Sequence, residues 1–228
     1  MRDATQLALT ALAMSLAACL SPLSAAAQEM APAPAESANV TATQVADWVT
    51  ASGDNRGLPF VIVDKVAAQV FVFGGDGRLL GAEPALLGFA RGDDSVPGIG
   101  DRRMSAIRPN ERTTPAGRFV AGFGPASGGH SVLWVDFDTA ISMHPVVTGN
   151  PKERRLERLK SASGDDNRIT YGCINVSAAF YRNVVRGAFT GTSGVVYILP
   201  ETKPVEQVFP AFRLQPHVTA GEPGEELG

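Results

Sequence analysis

The apolar positions of this chain follow three different patterns. A nearly unbroken run occupies Leu7 to Leu20. Between Thr43 and Ser52, Val45, Trp48 and Val49 recur at the spacing of one helix face, and Gly53-Asp54-Asn55-Arg56-Gly57 stops the pattern. From Phe60 onward, short segments rich in Val, Phe and Ile are separated by turn residues, which predicts strands. These segments are Phe60 to Asp64, Gln69 to Phe73, Arg78 to Leu87 (after the turn Gly74-Gly75-Asp76-Gly77), Arg118 to Phe123, Val132 to Asp138 running into Ala140 to His144, and Val195 to Leu199. Two helices interrupt the strands. Asn150-Pro151 reads as an N-cap followed by Pro at the first helical position, opening a segment from Lys152 to Lys160 with five basic and two acidic residues. Ser177 caps the other, with Phe180, Tyr181, Val184 and Val185 toward a core and Gly187 near its end. The expected fold class is mainly β, a sandwich-like or barrel-like body with a few short helices, spanning residues 58–200. Residues 28–57 are expected to form a Pro/Ala tether and the short helix, and 201–228, rich in Pro, Glu and Gly, a mobile tail.

The first run is too short to span a bilayer, which takes about 20 apolar residues. Arg2 precedes it and Ala25-Ala26-Ala27 follows, the layout of a secretory signal peptide over residues 1–27, with Asp3 weakening the charged front. A second reading competes, because Leu16-Ala17-Ala18-Cys19 resembles a lipobox in which Cys19 would be lipidated. Both readings put the folded part outside the cytoplasmic membrane, in the periplasm or cell envelope, and only the second attaches it to a membrane. The 228 residues carry a formal charge of −3, which gives no sign of nucleic-acid binding. Hydrophobic residues make up 44%, enough for a full core.

Either processing route leaves Cys173 without an intramolecular disulfide partner. A lone thiol in an oxidising compartment is a liability unless it is buried or used. Its surroundings favour use. Thr170-Tyr171-Gly172-Cys173-Ile174-Asn175 places the thiol after a Gly and just before a helix start. A turn of that kind can aim backbone N–H groups at one point, stabilising a thiolate or receiving an oxyanion near Gly172. A thiol nucleophile also needs a base, usually His. His217 lies in the tail and His130 follows Gly128-Gly129, whereas His144 ends a strand and precedes Pro145, a position from which rigid scaffolds present reactive groups. No G-x-S-x-G elbow and no His/Cys cluster with metal-ligand spacing is present, so no metal or organic cofactor is implied.

With these residues in view, the chain resembles the YkuD-type L,D-transpeptidase catalytic domain. Thr170-Tyr171-Gly172-Cys173-Ile174-Asn175 matches that family's Ser/Thr-His-Gly-Cys run, and His144 matches its upstream His. Thr114-Pro115-Ala116-Gly117-Arg118-Phe119 resembles its Thr-Pro-x-Gly-x-Phe segment, and the strands around Asp64 and Gln69 to Phe73 resemble its start. The resemblance implies an L,D-transpeptidase fold and an enzyme of cell wall biogenesis and cell shape, acting as a monomer on peptidoglycan stem peptides. It makes Cys173 the nucleophile, His144 the base, the Pro145 carbonyl the group that orients the imidazole, and the Gly172 backbone part of the oxyanion hole. It places Tyr171, Thr170, Asn175 and Arg168 against substrate. Two departures stand out. The family's His before Gly-Cys is Tyr171, and a phenol is no base at neutral pH. The interval between His144 and Thr170 is also longer than usual, and the basic segment from Lys152 to Lys160 lies in it. That segment is either a solvated face or a lid that meets substrate carboxylates.

Overall fold

The computed structural model describes residues 41–126 and 129–212. The expected signal peptide or lipobox, the tether up to residue 40 and His217 lie outside the described residues.

Ten strands and a few short helices follow one another along this part of the chain. After helix α1 (Ala42–Ser52) come β1 (Phe60–Asp64), β2 (Gln69–Phe73), β3 (Leu79–Pro84), β4 (Leu87–Gly88), β5 (Gly117–Pro125), β6 (Ser131–Asp136) and β7 (Ile141–Pro145). Helix α2 (Arg155–Arg158) precedes β8 (Arg168–Thr170) and β9 (Ile174–Val176), and β10 (Gly194–Ile198) comes later. Eight strands form one sheet in the order β3-β2-β1-β10-β5-β6-β7-β9. Most neighbours are antiparallel, but β1 with β10 and β7 with β9 are parallel. Just beyond β3, Leu86 and Asn175 exchange backbone hydrogen bonds of 2.8 and 2.9 Å, so the chain from one end of the sheet reaches β9 at the other. The body is therefore mainly β, a sheet that nearly closes on itself, as the alternation of short apolar segments predicts.

Two cores share the central strands. Side chains alternate across a strand, so each of these strands feeds both. Val61 and Val63 of β1, Val70 and Val72 of β2, and Val196 and Ile198 of β10 join Leu133, Met143, Ile174 and Val176 in the larger core. Phe60 and Ile62 of β1 and Val195 and Tyr197 of β10 face the other way, into a second core. Strands buried on both faces read as continuous apolar runs, which is the character of Phe60 to Val63.

Helix α1 covers that second core with Val45, Ala46 and Val49. Its start is fixed by a capping box, in which the Thr41 side chain accepts from the Gln44 N–H and Gln44 returns to the Thr41 backbone. Gly53, left-handed at φ +67°, ends it. The expected mobile tail needs correction over 201–212. Helix α5 (Val205–Val208) lies there, and Val205, Phe209 and Phe212 are buried in the second core, with Phe212 5.7 Å from Trp48 between ring centroids. The cause is the spacing 205, 208, 209, 212, one helical face that the Pro and Glu around it obscure. Replacing Phe212 by Ala is expected to cost about 3–5 kcal/mol, the range for a buried aromatic, read as a fall in urea midpoint with unchanged slope.

The other helices also differ from expectation. Residues 151–160 do not form one basic helix. A turn of 3-10 helix (Pro151–Glu153) and α2 are separated by Arg154 at φ +49°. Its cations are paired locally: Arg154 with Glu157, Arg155 with Glu153, and Arg158 donating to the carbonyls of Glu153 and Asp166 at 2.8 and 2.6 Å. Ser177 caps its helix as expected, accepting from the Phe180 N–H. That helix runs through α3 (Ala178–Phe180), a π-helical turn (Tyr181–Val185) and α4 (Arg186–Phe189). The widened turn puts Tyr181 and Val185 in the core while Arg182 and Arg186 stay exposed.

Candidate active site

Strands β7 and β9 build the site because they lie parallel and in register, with His144 opposite Asn175 and Met143 opposite Ile174. Met143 and Ile174 face the core. Alternation then turns Ser142, His144 and Asn175 to the other face, and Cys173, one residue before β9, joins them. The thiol and the imidazole are both half-buried.

The turn that presents Cys173 is tied down on several sides. Gly172 has φ +130°, and a Cβ there would stand 2.6 Å from Ile141 Cδ1 and 2.8 Å from the Thr113 carbonyl oxygen, so this position requires glycine. Thr114 Oγ1 donates to the Gly172 carbonyl at 2.8 Å and accepts from the Gly88 N–H at 2.9 Å. Thr170 Oγ1 donates to the Cys173 carbonyl at 2.7 Å and accepts from the Gly172 N–H at 3.1 Å.

Those bonds correct several expected roles. The Gly172 N–H is engaged by Thr170, so the oxyanion reading rests on the N–H of Cys173. Thr170 is buried and shapes the turn instead of meeting substrate. Arg168 is buried too, donating to the Lys65 carbonyl at 2.6 Å and pairing with Glu201 at 2.6 Å. Asn175 is 1% exposed and contacts the imidazole, not solvent. Tyr171 is the expected contact residue that does border open space, with the Arg112 guanidinium 3.9 Å above its ring.

His144 is held at both nitrogens. Its Nδ1 lies 2.8 Å from the Pro145 carbonyl, as expected for an orienting group, and its Nε2 lies 3.0 Å from Asn175 Nδ2. Cys173 Sγ meets Ser142 Oγ at 3.6 Å and donates to the Ala140 carbonyl at 3.7 Å. Burial pushes the thiol pKa up, but the neighbouring His144 imidazole and the hydrogen bonds from Ser142 outweigh it, leaving the thiol below its ordinary value. Burial likewise lowers the imidazole, yet the neighbouring Cys173 thiol and the Pro145 carbonyl hold it above its ordinary value, with Arg155 acting in the opposite direction.

Both groups face a cavity of about 1060 Å³. Its described lining includes Tyr171, Trp134 and Met104 and three cations, Arg102, Arg182 and Arg186, and no Asp or Glu. Exposed His130 also borders it. No residue from 152 to 160 lines it, so the cavity wall gives no support to the lid among the two readings of that segment.

Three contributors were not singled out from sequence. Ser142 sits two residues before His144, and period-two alternation was the available signal. Thr114 belongs to the quoted Thr-Pro segment, but its clasp on Gly172 spans 58 residues and has no local signature. Arg155 lay within the basic segment with nothing to separate it from its neighbours.

No family model matches the chain, and no curated protein does. Solved structures similar to it include the helical cell shape determining protein Pgp2 from Campylobacter jejuni, at 16% identity over 71% of this chain and 57% of that one, TM-score 0.45. The LD transpeptidase LdtMt1 in complex with imipenem shares 18% identity over 62% and 58%, TM-score 0.33. An L,D-transpeptidase (residues 123–326) from Xylanimonas cellulosilytica shares 16% over 62% and 60%, TM-score 0.36. The chain thus spans less than two thirds of each. With TM-scores below 0.5, none of these likenesses fixes a fold or a function for it. Among the described residues no helix is long and apolar enough to cross a membrane.

Proposed function

We propose that this chain is a cysteine-dependent L,D-transpeptidase acting on peptidoglycan stem peptides in the cell envelope. The observation that carries the proposal is the placement of His144 on β7 and Cys173 in the turn into β9 on one face, both lining a cavity with cations and no carboxylate in its described wall. Arg182 and Arg186 suit an anionic substrate, and stem peptides carry free carboxylates. Tyr171 and Trp134 offer flat apolar surface to the peptide.

In the reaction, Cys173 Sγ attacks the carbonyl carbon of an L,D-amide after its proton passes to His144. The tetrahedral oxyanion is received by the backbone at Cys173. The C–N bond breaks, His144 returns the proton to the departing amine of D-Ala, and a thioester remains on Cys173. The amine of a second stem attacks that thioester and loses its proton to His144. The thiol leaves as the new amide forms. With water as acceptor, the same site is an L,D-carboxypeptidase or endopeptidase. Tyr171, in place of the family's second His, favours one competitor from another class: a domain that binds peptidoglycan without cutting it.

Mass spectrometry of muropeptides after incubation with the purified protein separates these outcomes. Loss of D-Ala together with new cross-links is expected. Loss of D-Ala alone identifies a hydrolase, and unchanged muropeptides with retained binding reject catalysis. The lowered thiol pKa gives a second expectation. Iodoacetamide alkylation of Cys173 should reach its plateau at lower pH than that of a free cysteine thiol, whose pKa is about 8.5. A profile matching the free thiol counts against the pairing.

A further inference from the structure

The contacts of Asn175 fix more than its own position. Arg155 Nη1 lies 2.9 Å from Asn175 Oδ1, and Asn175 Nδ2 lies 3.0 Å from His144 Nε2. A guanidinium has donors and no acceptor. The amide oxygen must therefore face Arg155, and the amide N–H must face the ring. His144 Nε2 is then an acceptor, which puts the ring proton on Nδ1, where the Pro145 carbonyl receives it. Glu153 holds the other side of the Arg155 guanidinium, and the Arg155 side chain is 14% exposed.

We infer that Arg155 is a positioning residue of this site, which holds the Asn175 amide N–H on His144 Nε2 and so restrains formation of the imidazolium–thiolate pair. The proposal rests on Cys173 and His144 being the reacting pair and adds to it a control that the sequence resemblance does not supply. Its physical basis is a conflict of donors. When His144 takes the thiol proton, Nε2 becomes an N–H facing the N–H of Asn175. Turning the amide would give Nε2–H an acceptor but would set Asn175 Nδ2 against Arg155. One hydrogen bond is lost either way, so the ion pair forms against a standing restraint. The resting contacts agree with this, since the thiol donates to Ala140 while the ring lone pair is occupied by Asn175.

The charged and titratable groups around the ring are Cys173 from the turn before β9, Arg155 with Glu153 behind it, and, across the cavity, Tyr171, His130, Arg102, Arg182 and Arg186. Arg155 is the cation that contacts Asn175 in the described structure, and its charge also lowers the imidazole pKa directly, so its removal relieves the bond through Asn175 and the charge effect together.

The test is the pH profile of Cys173 alkylation in the full chain. Arg155→Met frees the amide to turn and offer Oδ1 to Nε2–H. The midpoint should fall by about one pH unit, a roughly tenfold gain in thiolate fraction on the acid side. Arg155→Lys retains a donor toward Oδ1, and its midpoint should stay near that of the unsubstituted protein. Equal midpoints for Arg155→Met and the unsubstituted chain, both folded by circular dichroism, overturn the proposal. Nitrogen-15 NMR of the imidazole in the unsubstituted protein covers the case in which Arg155→Met does not fold. On the alkaline side of the ring's titration the proton should sit on Nδ1, and a proton on Nε2 overturns the proposal. Neither readout uses peptidoglycan. A chain that shows the Arg155 effect but leaves muropeptides unchanged keeps this inference and loses the transpeptidase reading.

Discussion

Replacing His144 by Ala is expected to slow acylation of Cys173 by a carbapenem or a stem peptide at least about 100-fold, the lower end of what a positioned general base contributes. The argument runs through the thiol's surroundings. Burial alone would hold Cys173 protonated, and the neighbouring His144 imidazole together with bonding to Ser142 brings its pKa below the ordinary value. Without the imidazole, burial prevails, the thiol pKa rises, and the thiolate fraction at neutral pH falls about tenfold for each unit. The proton that must return to the departing amine also loses its carrier. Two losses at different steps make the effect larger on acylation than on simple alkylation, because iodoacetamide needs only the thiolate. The paired measurement is therefore stopped-flow acylation beside alkylation across pH 5 to 10. An unchanged acylation rate rejects the base role. Ser142→Ala should raise the alkylation midpoint by less, since Ser142 acts on the thiol and carries no proton for it. His130→Ala should leave both rates near normal, because that residue is exposed and has no contact with the thiol.

The local parts of this site could be read from sequence, and the long-range parts could not. Cys173 after a glycine, His144 at a strand end and the Pro145 carbonyl are features of neighbouring residues, and the structure brings them together. The glycine is interpretable as a position of close approach and positive φ, where Ile141 and Thr113 leave no room for a side chain, while its N–H is taken by Thr170. Thr170, Asn175 and Arg168 lie close to Cys173 in sequence, and the resemblance put them against substrate. Strand alternation and burial give them structural partners instead. The fold class followed from the Val- and Phe-rich segments, because strands buried on one or both faces leave a strong apolar signal. The C-terminal segment was misjudged because composition outweighed periodicity. Glu201 and Pro204 suggest a tail, while Val205, Phe209 and Phe212 carry a helical face that needs the Trp48 side of α1 to become visible.

Asp93→Ala is expected to lower stability by about 3–5 kcal/mol, the cost of leaving a buried charge without its partner. Lys65 and Asp93 are 0% exposed and lie 2.6 Å apart, with Glu201 3.7 Å from the same ammonium. Lys65 also donates to the carbonyls of Gly92 at 2.6 Å and Thr114 at 3.0 Å. The other oxygen of Asp93 accepts from the backbone N–H groups of Thr202 and Lys203 at 2.8 and 2.7 Å. One carboxylate thus neutralises the ammonium and anchors the chain that leads into α5. Removing it leaves the two buried cations Lys65 and Arg168 to share Glu201, and also releases 201–203, which should loosen the Phe209 and Phe212 cover over the second core. Burial raises the Asp93 pKa, but Lys65, Thr202 and Glu201 outweigh it and hold the carboxyl well below the usual carboxylate range. A depressed carboxylate stabilises the fold above its unfolded pKa of about 3.9 and loses that contribution as pH falls through the folded value. The penalty in Asp93→Ala should therefore be full at pH 7 and shrink only below about pH 4. Because Thr114 accepts from Lys65 through its carbonyl and holds Gly172 through its hydroxyl, the same substitution should also slow Cys173 alkylation under conditions where the protein remains folded. Urea unfolding at pH 7 and pH 3, with alkylation measured below the transition, checks both effects. A loss under about 1 kcal/mol at pH 7 would show that the cluster does not lock the C-terminal segment to the body.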